Sequence, residues 1–174
     1  MNENQINLLI REYNELFSDF DSRNYEDKAL SSDFLAECRK ASKDKKKAEL
    51  ILSMPKNKRN PETEKIITKR LNNHFSKHFQ LLKKDKQKII LKGITSTLIS
   101  GIFLITSILL HYYYPTQNTL ILNSFFVIIE PTGIFFLWKG LELALFKHNK
   151  ISDELKFYHI MSESRIIFKT FSKE

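Results

Sequence analysis

The sequence is poor in cysteine, glycine and proline: it has one Cys, four Gly and four Pro among 174 residues. The lone Cys38 cannot form an internal disulfide or a thiolate metal cage, which fits a reducing cytosolic environment. The chain also contains no Gly-rich phosphate loop, no GxSxG motif and no CxxC motif. We therefore predict no catalytic residues, no metal and no cofactor. Cys38 is expected to be a small helix residue, and a reactive thiol is the alternative.

Acidic and basic side chains are absent from the stretch Gly93 to Tyr113, which reads GITSTLISGIFLITSILLHYY. This stretch meets the roughly 20-residue length that a helix needs to cross a bilayer. A second apolar stretch, Thr119 to Phe146, follows an uncharged connector and is interrupted by the pair Glu130-Pro131. The two stretches together predict a transmembrane helical hairpin.

The chain has a net charge of +8. Its basic side chains cluster before the first apolar stretch and after the second, at the ends that lie away from the connector. They are Lys83, Lys84, Lys86, Lys88 and Lys92 before the first stretch, and Lys147 and Lys150 after the second. The connector has no Lys or Arg, so the pattern is positive-inside and predicts a multi-pass protein of the cell membrane with both termini in the cytoplasm. Trp138 and Lys139 are expected at the inner interface. Because these lysines would contact anionic lipid headgroups, at roughly 1 kcal/mol per residue, the charge requires no nucleic-acid partner.

The region before the hairpin shows helical and strand-like patterns in turn. Ile6, Leu9 and Tyr13 recur at helical spacing and predict a first amphipathic helix. A second helix is predicted from Tyr25 or Ser32 to about residue 41, with Phe34, Leu35 and Cys38 on its inner face. The segment AELILSM, 48–54, is short, apolar and closed by a proline, which favours a strand.

A long helix is predicted to follow this strand. Asn60 is a capping residue and Pro61 suits the first helical position. No further proline occurs before Tyr114, so the helix is expected to run into the first apolar stretch, with a bend at 83–88 as the alternative. Near the other end of the chain, residues 152–162 are predicted to be helical and RIIFKTF, 165–171, to be a strand.

The predicted fold class is a mainly α membrane protein, with a two-helix hairpin and a small cytosolic α+β domain. A lone strand is unstable in water, so the two predicted strands are expected to pair in a two-stranded sheet formed from both chain ends. The predicted organisation is a cytosolic helical and α+β region over 1–88, a first transmembrane helix over 89–114, an external loop over 115–118, a second transmembrane helix with an interfacial end over 119–146, and a cytosolic helix and strand over 147–174.

Glu130 is the sharpest candidate for chemistry, because an ionisable side chain inside a span must face protein, water or a partner. The functional hypothesis is an ion or proton site shared with Asn123, two turns earlier on the same face. The structural alternative is a neutral or hydrogen-bonded Glu that fixes helix packing. Pro131 removes a backbone donor beside it and, with Gly133, is expected to kink or loosen the helix.

Small residues at four-residue intervals, Gly93, Thr97 and Gly101, allow close approach of two helices in lipid. Ser96 and Ser100 add a second stripe of small residues. The stripes support either a homo-oligomer built on the first span or packing between the two spans of one hairpin. Packing within the hairpin is favoured for one stripe, and the other is left available to a second subunit. His74 and His78 share one helix face, but Phe75 stands where a metalloprotease helix has its Glu, so no metal site is predicted.

The stretch EPTGIFFLWKGLELALF, 130–146, followed by a short helix and RIIFKTF, resembles a set of uncharacterised prokaryotic small integral membrane proteins. In that set a basic helix leads into a two-span hairpin, and a cytosolic helix and strand follow. The resemblance covers roughly His74 to Phe171, and Phe135 stands where the set often has Trp. It implies the hairpin architecture and a bacterial or archaeal membrane, and it implies no activity.

Three classes of function follow from these patterns. The first is a non-enzymatic membrane anchor whose cytosolic domain binds a protein partner and whose hairpin self-associates. The second is a small channel, transporter subunit or membrane-perturbing effector that uses Glu130 and Asn123. The third, a membrane-bound enzyme, is disfavoured because the sequence shows no nucleophile-base pair and no cluster of metal ligands.

Overall fold

The computed structural model describes residues 4–113 and 120–171 and is mainly helical. Its elements are β1 (Gln5–Leu9), α1 (Ser32–Ser42), β2 (Glu49–Pro55), α2 (Pro61–Tyr113), α3 (Leu120–Glu142), α4 (His148–Ser162) and β3 (Arg165–Phe171). A π-helical turn, Leu143–Lys147, joins α3 to α4. The chain divides into two compact units, the first formed by Met1–Leu81 with Glu154–Glu174 and the second by Leu82–Asp153.

The first unit contains a parallel sheet in the order β1-β2-β3. Gln5 pairs with Glu49 at the start of β1, and Glu49 pairs with Arg165 at the start of β3. The prediction that AELILSM and RIIFKTF pair is therefore confirmed, whereas the prediction of a two-stranded sheet is wrong. The sheet has three strands, and the central position of β2 explains its nearly continuous run of buried residues.

The additional strand is β1, which lies where the sequence predicted an amphipathic helix, so that prediction is wrong. Residues Gln5–Leu9 are extended and pair with β2, and a short 3₁₀ turn, Tyr13–Leu16, follows. Ile6 is 1% exposed and Leu9 is 66% exposed, although helical spacing would place both on one face. The apolar pattern fits a helix, but pairing with the β2 backbone determines the structure of so short a segment.

The helices of the first unit begin where the capping residues indicate. The Ser31 hydroxyl accepts a hydrogen bond from the Asp33 amide at 3.3 Å at the start of α1, which agrees with the Ser32 alternative. Asn60 Oδ1 accepts from the Glu62 amide at 2.9 Å, and α2 begins at Pro61 as predicted. The fully buried side chains that fill this unit include Ile6, Leu16, Phe17, Cys38, Leu50, Leu52, Met54, Ile67, Leu71, Phe75 and Met161.

A polar network fixes the start of α2 against the rest of the first unit. Arg59 makes a two-bond contact with Glu64, Nε to Oε1 at 2.7 Å and Nη2 to Oε2 at 2.9 Å. Its Nη1 donates to Thr170 of β3 at 2.8 Å. The Tyr13 hydroxyl accepts from the Asn60 amide at 2.8 Å. The network ties β3 and the 3₁₀ turn to the first turn of α2.

Two helical stretches are long and apolar enough to cross a membrane, Pro61–Tyr113 and Asn123–Leu145. The first is a single helix, as predicted, because α2 is uninterrupted from Pro61 to Tyr113. In the second unit α2 and α3 pack antiparallel, with contacts that run from Gly93 and Gly140 at one end to Ser107 and Glu130 toward the other. The predicted external loop, 115–118, lies outside the described residues.

Candidate functional site

Two hydroxyl groups of α2 make hydrogen bonds across to α3. Ser107 Oγ donates to Glu130 Oε1 at 2.9 Å. Ser96 Oγ donates to the backbone carbonyl of Phe136 at 2.8 Å. The contact to Glu130 joins the sharpest candidate of the sequence to a serine that the sequence analysis did not single out. A hydroxyl on one apolar stretch and an ionisable side chain on the other are the signal that could have found this contact.

Buried serines line the contact between α2 and α3. Ser96, Ser100 and Ser107, the serine seam, are all buried. Ser100 is 1% exposed, and among the described residues its Oγ has no hydrogen-bond partner. The seam therefore places three serine side chains of this part of α2 on the side that meets α3.

Glycines allow the two helices to approach closely. A Cβ on Gly140 would collide with Thr97 Oγ1 and would lie 3.2 Å from the Gly93 carbonyl oxygen. A Cβ on Gly133 would lie 3.1 Å from a methyl carbon of Leu104. Gly93, Thr97 and Gly133 therefore lie in the contact between α2 and α3. Gly140 lies there too, although sequence reasoning did not place it in the contact.

Gly101 takes no part in this packing, because a Cβ added to it would have no described atom within 4 Å. The residues of the four-residue pattern, Gly93, Thr97 and Gly101, therefore do not all contact α3. The first two contact the end of α3, and the last leaves an open position on α2. Packing within one hairpin accounts for Gly93 and Thr97 and leaves Gly101 available to another molecule.

The region around Glu130 and Pro131 remains helical. Helix α3 continues from Leu120 to Glu142 through Pro131. In the same turns, Thr132 Oγ1 donates to the Ile128 carbonyl at 2.6 Å. Glu130 and Asn123 are both exposed, and they lie two turns apart on one face of α3. The hydrogen bond from Ser107 therefore reaches a carboxylate at the edge of the helix contact.

The candidate interface residues lie in the middle of α2, just before the serine seam, and near the end of α3. Lys83, Lys84, Lys88 and Lys92 are exposed. Lys86 is half-buried, and its Nζ donates to Ser152 Oγ at 3.5 Å. Lys139 pairs with Glu142 at 2.7 Å, and the neighbouring Trp138 is exposed. These charged and indole groups are of the types that prefer a membrane interface.

The faces of the helix pair away from the seam are apolar and exposed. In the most apolar 18-residue windows only 22% of the first stretch and 11% of the second are buried. The exposed side chains include Ile94, Leu98, Ile102, Ile105, Ile108, Val127, Ile128, Ile134 and Phe135. The core helix of a soluble protein would instead be mostly buried, and so large an apolar surface indicates contact with lipid or with another protein.

His74, His78 and Cys38 are part of the packing of the first unit. The rings of His74 and His78 lie 4.3 Å apart between centroids, and His78 stacks on Tyr158. Burial, with His78 and Arg70 nearby, lowers the pKa of His74 to about 4. Burial raises the pKa of Cys38 to about 12, which makes this thiol a poor nucleophile. Within residues 4–113 and 120–171 no three His, Cys, Asp or Glu side chains could together hold a metal ion.

Comparison with protein-family models, with curated proteins and with solved structures finds no match to this chain.

Proposed function

We propose that the protein is an integral membrane protein in which the α2–α3 pair spans the bilayer as a hairpin and anchors the first unit in the cytoplasm. The observation that carries this proposal is the segregation of the helix pair: serines and glycines face each other, and apolar side chains face outward. In lipid this arrangement keeps the buried serines between the two helices and turns a mainly hydrocarbon surface outward, with Glu130 and Asn123 among its exposed polar groups. In water it would leave a large apolar surface uncovered.

Membrane extraction and cysteine labelling test this topology. The full chain should stay in the membrane pellet after alkaline carbonate treatment. In a Cys38→Ala background, Lys46→Cys should react with an impermeant maleimide only after the cells are opened. Tyr112→Cys, at the end of α2, should react from outside intact cells. Release by carbonate would overturn the anchor, and labelling of both cysteines from the same side would overturn the hairpin topology.

We propose further that the hairpin self-associates. Glu130 is exposed on the helix pair even though Ser107 binds one of its oxygens. Inside a bilayer such a carboxyl must face protein or water, since lipid offers it no partner. A second copy placed against Asn123 and Glu130 would cover both polar groups. The open position beside Gly101 supplies another surface that could accept a second copy.

The oligomeric mass in detergent or nanodiscs measures this association. Wild type and Glu130→Gln should form the same oligomer, because Gln keeps an oxygen that can accept hydrogen bonds. Glu130→Leu should be shifted toward monomer several-fold, and Ile128→Leu, an exposed apolar position nearby, should not change the mass. A monomer at all concentrations would overturn self-association.

The same exposed carboxyl favours a small channel as the second candidate function. Several hairpins that turn Glu130 and Asn123 toward a common axis would give a polar pore lining. Conductance across a planar bilayer separates the two functions. A pH-gated current that is lost in Glu130→Gln would overturn the anchor and support the channel. A stable oligomer without conductance would overturn the channel.

For the first unit we propose the binding of a basic protein segment. Its β1 is an edge strand, so one side of its backbone is unpaired within the sheet. Beside it lies a groove of about 670 Å³ with Leu9 and Phe34 among its apolar residues. Its acidic residues are Glu12, Glu15, Asp19, Asp33 and Glu37. An extended segment that adds a strand to β1 and carries lysine or arginine matches this edge and this charge.

A synthetic peptide of alternating lysine and valine serves as the probe in a fluorescence anisotropy titration with the full chain. Glu12→Gln with Asp33→Asn should weaken its binding several-fold. Glu163 is an exposed acidic residue outside the groove, so Glu163→Gln should leave the binding of the peptide unchanged. Equal weakening by both would overturn the groove as the binding site.

A further inference from the structure

A shallow apolar groove runs along one flank of the α2–α3 contact, wholly within the second unit. Its volume is about 390 Å³, near the lower end of small-molecule sites, which are roughly 300–1,000 Å³. The residues that line it on α2 are Ile89, Ile90, Gly93, Ile94, Thr97 and Leu98, and those opposite are Gly140, Leu143 and Ala144. Apart from the Thr97 hydroxyl, the side chains of this lining are hydrocarbon.

The groove has a cationic end. Lys86 precedes Ile90 by one helical turn, and Lys83 precedes it by two, so both lysines lie on the groove face of α2. Lys88 and Lys92 lie on the opposite face of the same helix. Lys83 is exposed, and Lys86 is half-buried with Ser152 as its neighbour. Only one pair of the lysines before the first apolar stretch is therefore aligned with the groove.

The shape and the charge select the occupant. A free phosphate would use the lysines but not the hydrocarbon groove, and an uncharged acyl chain would use the groove but not the lysines. A second helix is a poor fit, because a groove of about 390 Å³ bounded by a few side chains holds little more than one narrow chain. An amphiphile with a hydrocarbon tail and an anionic head uses both parts. Basic pockets between membrane helices on the cytoplasmic side are known to bind anionic headgroups.

We infer that this groove is a binding site for one anionic phospholipid, with an acyl chain along Ile90, Ile94 and Leu98 and with the phosphate beside Lys83 and Lys86. The inference rests on the proposed function, since it needs the helix pair to lie in a bilayer with these lysines at one surface. It goes beyond general attraction to a charged membrane, because it assigns the headgroup to two of five lysines and the tail to a defined groove.

Native mass spectrometry of the full chain in a neutral detergent counts the retained lipid. Phosphatidylglycerol should be retained about tenfold more than phosphatidylcholine. Lys83→Gln with Lys86→Gln should lower phosphatidylglycerol to the level of phosphatidylcholine. The control pair Lys88→Gln with Lys92→Gln removes the same charge from the opposite face of the helix and should leave retention unchanged. Equal losses in the two pairs would mean diffuse attraction and would overturn the site.

The groove is tested separately by Ala144→Phe, which adds a ring at an exposed lining position. It should lower retention of phosphatidylglycerol several-fold with all lysines present. If it leaves the lipid count unchanged and lowers the oligomeric mass, the groove holds a second copy and the inference is wrong. Carbonate extraction of the same variants separates the two proposals. A chain that stays in the membrane but retains no phosphatidylglycerol overturns the lipid site alone, and a chain that is released overturns the anchor as well.

Discussion

The hydroxyl of Ser107 on α2 donates a hydrogen bond to Oε1 of Glu130 on α3 at 2.9 Å, and so joins the two apolar helices through their polar side chains. Hydrogen bonds between helices in membranes contribute about 0.6 kcal/mol on average and up to about 1.7 kcal/mol. With the helix pair in a bilayer, as proposed, Ser107→Ala should destabilise it by about that amount. Unfolding of the full chain in mixed micelles of increasing denaturing detergent measures the loss.

A double-mutant cycle with Glu130→Leu isolates the pair. The combined variant should lose less than the sum of the two single losses, because either change alone removes the bond. Thr95→Val is the matched control, since the Thr95 hydroxyl donates to the Leu91 carbonyl of its own helix. If Thr95→Val costs as much as Ser107→Ala, the bond across the helices is not what stabilises the contact.

Gly140 and Gly101 should respond in opposite ways to the same added methyl group. Gly140→Ala places a carbon against Thr97 and near the Gly93 carbonyl, so it should destabilise the helix pair by about 1–3 kcal/mol. Gly101→Ala meets no described atom within 4 Å and should be neutral or stabilising by up to about 1 kcal/mol, because Ala favours the helix. The same detergent titration compares them, and equal losses would contradict the observed packing.

The strand β1 gives a third prediction, because its side chains alternate between core and surface. Ile6→Ala should cost about 2–5 kcal/mol, as for other large-to-small changes in a core. Leu9→Ala should change the stability of the first unit by less than about 0.5 kcal/mol, since Leu9 is exposed. Hydrogen-exchange protection of the β2 amides reports both. Comparable losses from the two variants would instead fit a helix with both residues inward.

The contrast between Ile6 and Leu9 explains what the sequence could and could not predict. Capping residues, prolines and long apolar runs act locally, so the starts of α1 and α2, the bounds of β3 and the two candidate spans were predictable. Strand β1 was not predictable, because it forms by pairing with β2, more than forty residues away in sequence. Ser107 and Gly140 were missed for the same reason, since their role depends on how α3 aligns with α2.

The charge state of His74 couples the stability of the first unit to pH. Burial, with His78 and Arg70 nearby, lowers the pKa of His74 from 6.5 to about 4. The unfolded chain therefore binds a proton more readily than the folded chain between these two values. The stabilising contribution is complete above pH 6.5 and is lost as the pH falls toward 4. Because the ring is only partly buried, the loss between pH 7 and pH 5 should be about 1 kcal/mol, less than the full shift would give.

His74→Phe separates this titration from the packing of the ring. Phenylalanine keeps an aromatic ring against His78 and Tyr158 but carries no proton, so the pH dependence of β2 amide protection should shrink. It should not vanish, because burial also lowers the pKa of His78. If His74→Phe retains the full loss between pH 7 and pH 5, the buried imidazole is not its source.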